Sequence, residues 1–340
     1  MRFAILGAGS LGTILGAIIS KNGGDVTLID ANKEHVDHLN TNGATVTGKM
    51  DLKNVPVKAI TPDQMEGIYD AVLLLTKQTV NQKALPALLP FLNENSVVCT
   101  LQNGVPEESV AAIVGKDRTV GGAVGWGAAW TAPGVAQLYT DVASMIIEIG
   151  SMTGERTEKL QRVADFIELA HPVVINDNLF GFRWSKLLMN ATFSGMSAAL
   201  GCTFGDVLDN EKALRCAVHI GNELIQVARA KGITLEEIVP GKDFYVFEYG
   251  DEAGMQKAME FARGVWSVHR PQKASMMQDM EKGIPCEIGY INGLVVDGGK
   301  ETGIETPFNQ MVVDIVKEFE AGKIPFPTMD NLERFNCVCG

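Results

Sequence analysis

The sequence has no hydrophobic run long enough to cross a membrane, since no stretch approaches the roughly 18 uninterrupted apolar residues that a spanning helix requires. Its first residues form a short apolar run followed by glycines, without the basic segment or the cleavage site of a secretory signal. We therefore expect a cytoplasmic protein.

Cysteine is also sparse, with six residues in a chain of 340. Their spacing gives neither a disulfide framework nor the paired CxxC pattern of a zinc site, so we expect no metal. Most of them are predicted to be small buried side chains. Cys337 and Cys339 near the C-terminus have no assigned role, and residues 336–340 are predicted to form a frayed tail.

Positive charge is scarce: the chain has 29 Lys and Arg against 41 Asp and Glu, which gives a formal net charge of −12. This balance argues against nucleic acid as a partner, since its phosphates would be repelled. It does not exclude a small anion, because a local site can be positive on a negative protein. The 46% of apolar residues is typical of a globular protein, and the length favours two domains.

The first half of the chain alternates short Val- and Ile-rich segments with helical stretches, which indicates a parallel sheet covered on both faces. The valines within Gly43–Thr61 predict a small antiparallel insertion. The predicted strands are Phe3–Leu6, Val26–Ile29, Ala71–Leu75, Val97–Leu101, Val120–Val124 and Met145–Ile149, with Val173–Ile175 as a candidate last strand.

After about residue 178 the apolar residues recur at helical spacing. The predicted helices are Leu214–Lys231, Ala253–Ala262, Ser275–Lys282, Ile288–Val296 and Phe308–Ala321. The prediction is therefore an α/β dinucleotide-binding domain at 1–177, an all-α substrate and dimerisation domain at 178–335, and the tail at 336–340.

A glycine motif follows the first predicted strand and opens an apolar helix, in the frame of a Rossmann dinucleotide site. The first glycine permits a tight turn, the second lets the backbone approach a pyrophosphate, and the third allows close packing of helix on sheet. The helix N-terminus would face the anion. The motif reads Gly7-Ala8-Gly9-Ser10-Leu11-Gly12.

The choice between NAD and NADP depends on the end of the second strand. Asp30 is placed to accept hydrogen bonds from ribose hydroxyls, and Ala31 follows it where an Arg would favour a 2′-phosphate. The nearest cation is Lys33. NAD is favoured on these residues, although Lys77 after the third long strand could supply a cation or could be an ordinary solvated lysine.

A candidate proton donor lies in the second half of the chain, because none of the five histidines has a catalytic context and His35 is expected on an exposed helix. Lys186, Asn190 and Ser194 are spaced four apart and would line one stripe of a helix that is otherwise apolar. Burial lowers the pKa of a lysine, so Lys186 could donate a proton near neutral pH. The alternative is a lysine paired for structural reasons.

Three further polar residues are candidates for the same chemistry. Glu287 is predicted to begin another apolar helix, where it could hold the ammonium of Lys186 or the cofactor ribose. Ser275 offers a hydroxyl at a helix start, where it could instead be an N-cap. Asn103 follows an apolar strand at the ligand-binding edge of the sheet and could orient the nicotinamide or the substrate, although an Asn-Gly turn would explain it too.

Five motifs in one order give the chain a resemblance to the ketopantoate reductase (2-dehydropantoate 2-reductase) family. They are GAGSLG at 7–12, LQNG at 101–104, KLLMN at 186–190, SMMQD at 275–279 and EIGYING at 287–293. The resemblance implies an N-terminal Rossmann domain, an all-helical C-terminal domain and an active site in the cleft between them.

The resemblance also implies roles for these residues. Lys186 would protonate the 2-oxo group as NAD(P)H delivers hydride, giving a D-2-hydroxy acid. Asn103 would contact nicotinamide and substrate, Asn190 and Ser275 would hydrogen-bond the substrate, and Glu287 would orient the cofactor or the lysine. A small-molecule 2-oxo acid and a second copy of the chain in a homodimer are the implied partners.

Three positions depart from the family pattern. Ala31 stands where the family often has an Arg for the NADP phosphate, Ser194 replaces a second asparagine, and the region of Phe204 replaces a further one. Lost hydrogen-bonding groups weaken discrimination for a particular substrate. An NAD-dependent D-2-hydroxyacid dehydrogenase on the same fold is therefore an alternative. Two further alternatives are a related dehydrogenase for phosphorylated or amino substrates and a non-catalytic nicotinamide sensor.

Overall fold

The structure, a computed structural model, describes residues 1–338. The chain divides into two compact units, Met1–Leu179 and a second unit that begins at Phe180, two residues beyond the predicted boundary. The first unit is α/β and the second is helical, so the predicted fold class is confirmed. No helix within residues 1–338 has the length and apolar character needed to cross a membrane.

The first unit contains twelve strands among its described residues. They are β1 Phe3–Leu6, β2 Val26–Ile29, β3 Ala44–Gly48, β4 Leu52–Val55, β5 Lys58–Ile60, β6 Ala71–Leu74, β7 Val97–Thr100, β8 Thr119–Val124, β9 Ala128–Ala132, β10 Val135–Leu138, β11 Ile147–Ser151 and β12 Val174–Ile175. Eight of them form one sheet in the order β12-β11-β8-β7-β6-β1-β2-β5, and β4-β3-β10-β9 form a second sheet.

Two predictions about the strands are wrong in part. The main sheet is parallel except that β11 runs antiparallel to β8. The segment Gly43–Thr61 does not stay together as an insertion, because β3 and β4 pair antiparallel in the second sheet while β5 joins the main sheet parallel to β2. Strands β9 and β10 were not predicted. Strand β9 is rich in alanine and lacks buried residues, and β10 has only four residues, of which Ala136 and Leu138 are buried.

Five helices accompany these strands: α1 Ser10–Lys21, α2 Lys33–Asn42, α3 Asn81–Leu88, α4 Glu107–Val114 and α5 Glu158–Ile167. Helix α1 packs against strands of both sheets, which explains why every residue from Gly12 to Ile19 is buried. The first turn of α1 is thereby held rigidly at the end of β1.

The second unit is built from helices. They are α6 Leu179–Met189, whose first residue belongs to the first unit, α7 Gly195–Leu200, α8 Phe204–Asp209, α9 Glu211–Ala230, α10 Glu252–Trp266, α11 Ser275–Glu281, α12 Asn292–Thr302 and α13 Pro307–Glu320. A π-helical turn, Asn190–Ser194, joins α6 to α7. The predicted helix Ile288–Val296 is wrong in its first part, because Ile288–Tyr290 is a 3-10 turn and α12 begins only at Asn292.

The predicted tail at 336–340 also needs correction. A 3-10 helix extends from Met329 to Cys337, and its Phe335 is fully buried. The thiol of Cys337 donates to the carbonyl of Arg334 at 2.9 Å. The chain is therefore ordered to Cys337, whereas Cys339 lies outside the described residues.

Candidate functional site

The glycine turn has the geometry that the motif predicts. Gly7 has φ +102°, and a Cβ there would lie 2.6 Å from the backbone nitrogen of Thr76. A Cβ on Gly12 would overlap the carbonyl oxygen of Gly7. At Gly9, by contrast, a Cβ would meet nothing within 4 Å. The open space beside Gly9, at the N-terminus of α1, fits a pyrophosphate held by backbone N–H groups.

The polar residues predicted in the first unit follow four neighbouring parallel strands. Gly7 follows β1, Asp30 follows β2, Lys77 comes after β6, and Asn103 comes after β7. The carboxyl ends of parallel strands lie at one edge of the sheet, where open α/β folds bind ligands. The structure therefore brings these four residues to a single edge.

The segment after β2 is organised around Asp30. One carboxylate oxygen of Asp30 accepts the N–H of Asn32 at 2.9 Å, and the Asn32 side chain caps α2. Lys33, the nearest cation in sequence, has its Nζ 2.6 and 2.8 Å from the two carboxylate oxygens of Asp37. Ala31 is exposed and provides no charge of its own.

His35 is not exposed, contrary to the prediction, because it is 1% accessible. Its Nδ1 accepts the N–H of Gly134 at 2.9 Å, which leaves Nε2 to donate to the carbonyl oxygen of Ala8 at 2.7 Å. The indole of Trp130 also approaches Nδ1, at 3.3 Å. His35 thus links the glycine turn to the β9–β10 hairpin, a role that no local sequence signal indicates.

A buried amide pair connects the loops after β6 and β7. The side-chain amides of Asn81 and Gln102 donate to each other at 3.0 and 2.8 Å. Gln102 also donates to the carbonyl oxygen of Thr76 at 2.7 Å, and Gln78 donates to that of Asn103 at 2.5 Å. The backbone of Asn103 is therefore fixed, which suits a residue that orients a ligand. Gln102 of the LQNG motif was the sequence signal that could have predicted this fixed backbone.

In the second unit, the segment 183–200 is buried except for one narrow stripe. The partly exposed residues are Lys186, Met189, Asn190 and Ser194, while all the others in this segment are buried. The predicted polar residues thus share one face. The π turn was not predicted. Although it is wider than an α-helical turn, residues that are four apart in it still lie close to the same face.

Lys186 can exchange a proton near neutral pH. Burial, together with the positive charge of Arg183, lowers the pKa of its ammonium from 10.5 to about 7, and burial is the larger of the two causes. Arg183 is 1% exposed and lies one helical turn before Lys186. A lysine with this pKa populates both the acid and the base form at pH 7.

Ser275 and Glu287 lie on other segments of the second unit. Ser275 is the first residue of α11, and its exposed side chain is not the N-cap, since Ala274 occupies that position. Helix α11 packs against the π turn and α7. Glu287 is 4% exposed and precedes the 3-10 turn rather than beginning a helix. Both remain candidates for the roles predicted above.

The described cysteines are free, and the described residues form no candidate metal site. Within residues 1–338, no three His, Cys, Asp or Glu side chains cluster as metal ligands do. Cysteines 99, 202, 216 and 286 are free and buried, as predicted, and Cys337 is free and exposed. Burial raises the pKa of Cys202 and Cys286 to about 12, so neither is a nucleophile.

A dinucleotide-binding α/β unit with a fixed ligand edge, followed by a helical unit with a titratable lysine, defines a nicotinamide-dependent oxidoreductase. Family comparison agrees. The profile described as "Ketopantoate reductase PanE/ApbA" matches residues 3–153, and the profile of the C-terminal domain of the same family matches residues 178–320. The chain belongs to the ketopantoate reductase family, as the motif resemblance implies.

Individual relatives agree with this membership. The 2-dehydropantoate 2-reductases of Pyrococcus horikoshii and Streptococcus pyogenes serotype M1 are each 28% identical to the chain, over 94% of it and 98% of their own length. A PanE/ApbA family ketopantoate reductase from Ralstonia eutropha JMP134 has a similar structure, with a TM-score of 0.80 and 26% identity over 95% of this chain and 99% of that one.

A D-mandelate dehydrogenase, solved as a ternary complex with NADH and anilino(oxo)acetate, has the same fold. It superposes with a TM-score of 0.80 and 22% identity, over 95% of this chain and 99% of its own. The fold is thus shared by proteins whose names state different substrates.

Proposed function

We propose that the protein reduces a 2-oxo acid to a D-2-hydroxy acid, with Lys186 as the proton donor. The observation that carries this proposal is the stripe of Lys186, Asn190 and Ser194 on a helix that is otherwise buried. A polar stripe with a lysine whose pKa lies near 7 has the composition that protonation of a carbonyl oxygen requires.

When bound, a reduced nicotinamide would be the source of the hydride that C2 of the substrate receives. The oxygen on C2 then takes a proton from Nζ of Lys186, so that an N–H bond breaks and an O–H bond forms. Asn190 and Ser194, one and two turns further along, donate or accept hydrogen bonds that hold the substrate, together with Ser275. Glu287 orients the cofactor ribose or the lysine.

The first unit would hold the cofactor. Backbone N–H groups at the start of α1, around Gly9–Gly12, would bind the pyrophosphate, and Asp30 would accept hydrogen bonds from the ribose hydroxyls. Asn103 orients the nicotinamide and contacts the substrate. Lys77, which comes after β6 at the same edge of the sheet, would add positive charge toward a phosphate or pyrophosphate oxygen.

We also propose that NADH is preferred to NADPH. A 2′-phosphate next to Asp30 would be repelled by its carboxylate. Ala31 has no charge to offset that repulsion, and Lys33 is engaged by Asp37. Family members often carry an Arg at the position of Ala31, so this preference separates the chain from them.

A substrate other than ketopantoate is the second candidate. Ser194 is shorter than the asparagine that it replaces. Phe204, 8% exposed, packs with its ring 5.9 Å from that of Phe193 and offers no hydrogen bond. Two polar contacts of the family pattern are therefore changed in this chain, which favours a 2-oxo acid with a less polar tail.

One assay separates these candidates: a panel of 2-oxo acids, including ketopantoate and acids with branched or aromatic tails, run in parallel with NADH and NADPH. Reduction of ketopantoate with the highest kcat/KM supports the family substrate, and a higher value for another acid supports the second candidate. No turnover of any 2-oxo acid would refute the proposed reaction. We also propose that the protein is cytoplasmic and forms a homodimer, which cell fractionation and light scattering would test.

A further inference from the structure

A buried hydrogen-bonded network lies beneath the π turn that carries Asn190 and Ser194. It consists of Asn292 on α12, Asn309 on α13 and Glu223 on α9, which we call the amide network. Asn292 and Asn309 are fully buried and Glu223 is 7% exposed. Buried polar groups of this kind are costly unless they are satisfied, so their presence in a helical core calls for a reason.

The hydrogen bonds of the amide network have a fixed direction. Two backbone N–H groups, of Phe308 and Asn309, donate to Glu223 at 2.8 and 2.9 Å. The amide nitrogen of Asn309 donates to Glu223 at 2.7 Å and to the carbonyl of Ile220 at 3.2 Å. Its oxygen is therefore left to accept from Asn292, at 3.0 Å.

Asn292 uses the other proton of its amide on the π turn itself. Its Nδ2 donates at 3.0 Å to the carbonyl oxygen of Ala191, inside the turn. In an α-helix that carbonyl would accept from the N–H of Gly195, but here Gly195 donates to Asn190, five residues earlier. Asn292 thus contacts the backbone where it departs from α-helical geometry.

Gly195 makes room for this contact. A Cβ at Gly195 would lie 2.5 Å from Oδ1 and 2.9 Å from Nδ2 of Asn292, closer than side-chain atoms approach one another. Only glycine at position 195 lets the Asn292 amide reach the turn. The turn also uses Thr192, whose hydroxyl donates to the carbonyl of Leu188 at 2.7 Å.

We infer that Asn292, oriented by Asn309 and Glu223, is a positioning residue that holds the π turn and thereby sets the direction of the Asn190 and Ser194 side chains toward the substrate. The inference rests on the proposed function, in which these two residues bind the 2-oxo acid. Loss of the Ala191 contact would let the turn relax toward an α-helix. Such a change would rotate Asn190 and Ser194 without removing any group that touches the ligand.

The test compares Asn292→Ala and Gly195→Ala with Thr302→Val. The first variant removes the donor, and the second keeps every polar group but displaces the Asn292 amide. The control deletes a partly buried hydroxyl on the same helix, which donates to Gly298 at 2.8 Å away from the turn. We expect both test variants to raise KM for the 2-oxo acid about tenfold or more, with the Kd for the nicotinamide cofactor within about twofold of wild type.

Hydrogen exchange of the amides in 187–200 reports on the turn whatever the substrate is. We expect faster or redistributed exchange there in both test variants and wild-type exchange in Thr302→Val. Unchanged exchange at 187–200, or kinetic losses no greater than those of Thr302→Val, would overturn the inference. Wild-type protein that turns over no 2-oxo acid would instead refute the proposed function, and the exchange result would still decide whether Asn292 holds the turn.

Discussion

The pH dependence of catalysis should follow Lys186. In the direction of reduction the ammonium form is the proton donor, so kcat/KM should be constant below pH 7 and should fall tenfold for each pH unit above the pKa of about 7. Activity at pH 9 should therefore be about one hundredth of that at pH 6. In the direction of oxidation the neutral amine is needed, and the same pKa should give a rate that falls below pH 7.

Two substitutions isolate the lysine. Lys186→Ala removes the donor, and we expect kcat to fall about 10²-fold or more. Lys186→Arg retains a positive charge that does not titrate, so its residual rate should show no break near pH 7. Initial rates of reduction at saturating cofactor from pH 5.5 to 9.5, measured for all three proteins, provide the profiles.

Glu223 provides the control, because burial also raises the pKa of its carboxyl to about 7. If the break in the pH profile is due to Lys186, the profile of Glu223→Gln should still show a break near pH 7, whatever the overall rate of this variant. A wild-type profile that is flat through pH 9, or a break that survives in Lys186→Arg, would refute the assignment of Lys186 as the acid.

Three other predictions concern cofactor binding and stability. Ala31→Arg should shift the ratio of kcat/KM for NADPH over NADH upward by about tenfold or more, because a guanidinium can pair with a 2′-phosphate; an unchanged ratio would contradict the proposed preference. His35→Ala should weaken cofactor binding about tenfold in a fluorescence titration, since the glycine turn loses its link to the hairpin, whereas a Kd equal to that of the exposed-site control His171→Ala would count against it. The raised pKa of Glu223, from 4.5 to about 7, means that the folded protein holds this proton more tightly than the unfolded chain. The contribution of Glu223 to the free energy of unfolding is therefore complete below pH 4.5 and falls by about 3 kcal/mol as the pH rises through 7. In denaturation experiments across this pH range, Glu223→Gln should lack that decline.

The first-unit residues could be predicted because their signals are local. The spacing of Gly7, Gly9 and Gly12 directly after an apolar strand specifies a turn whose steric demands the structure reproduces. Asp30 and Asn103 needed only the rule that parallel strands end at one edge. The lysine stripe was equally local, since a spacing of four residues fixes a helical face.

The supporting contacts could not be predicted, because each joins residues far apart in the chain. His35 is buried by a hairpin 99 residues away, and without that hairpin its helix looks exposed. Asn292 reaches Ala191 across 101 residues, and nothing between Asn190 and Ser194 specifies a π turn. Local sequence therefore indicated the groups that we propose to contact a ligand, while the groups that we propose to orient them could be found only in the tertiary structure.

The net charge of the protein bears on the pKa of Lys186, the proposed proton donor. On a chain of net charge −12, an anionic substrate needs local positive charge, and Arg183 and Lys186 stand one helical turn apart in a buried segment. Their mutual repulsion helps to lower the pKa of Lys186. A substrate carboxylate bound near them would favour the ammonium form and raise that pKa, because an opposite charge stabilises the charged state. We therefore expect the break in kcat, which reports the substrate complex, to lie at higher pH than the break in kcat/KM, which reports the free enzyme; coincident breaks would exclude this coupling. Substrate binding would thus favour uptake of a proton from solvent by Lys186 before hydride transfer. Burial would keep the pKa of Lys186 near neutrality in the free enzyme, while the bound carboxylate would keep the lysine protonated in the substrate complex.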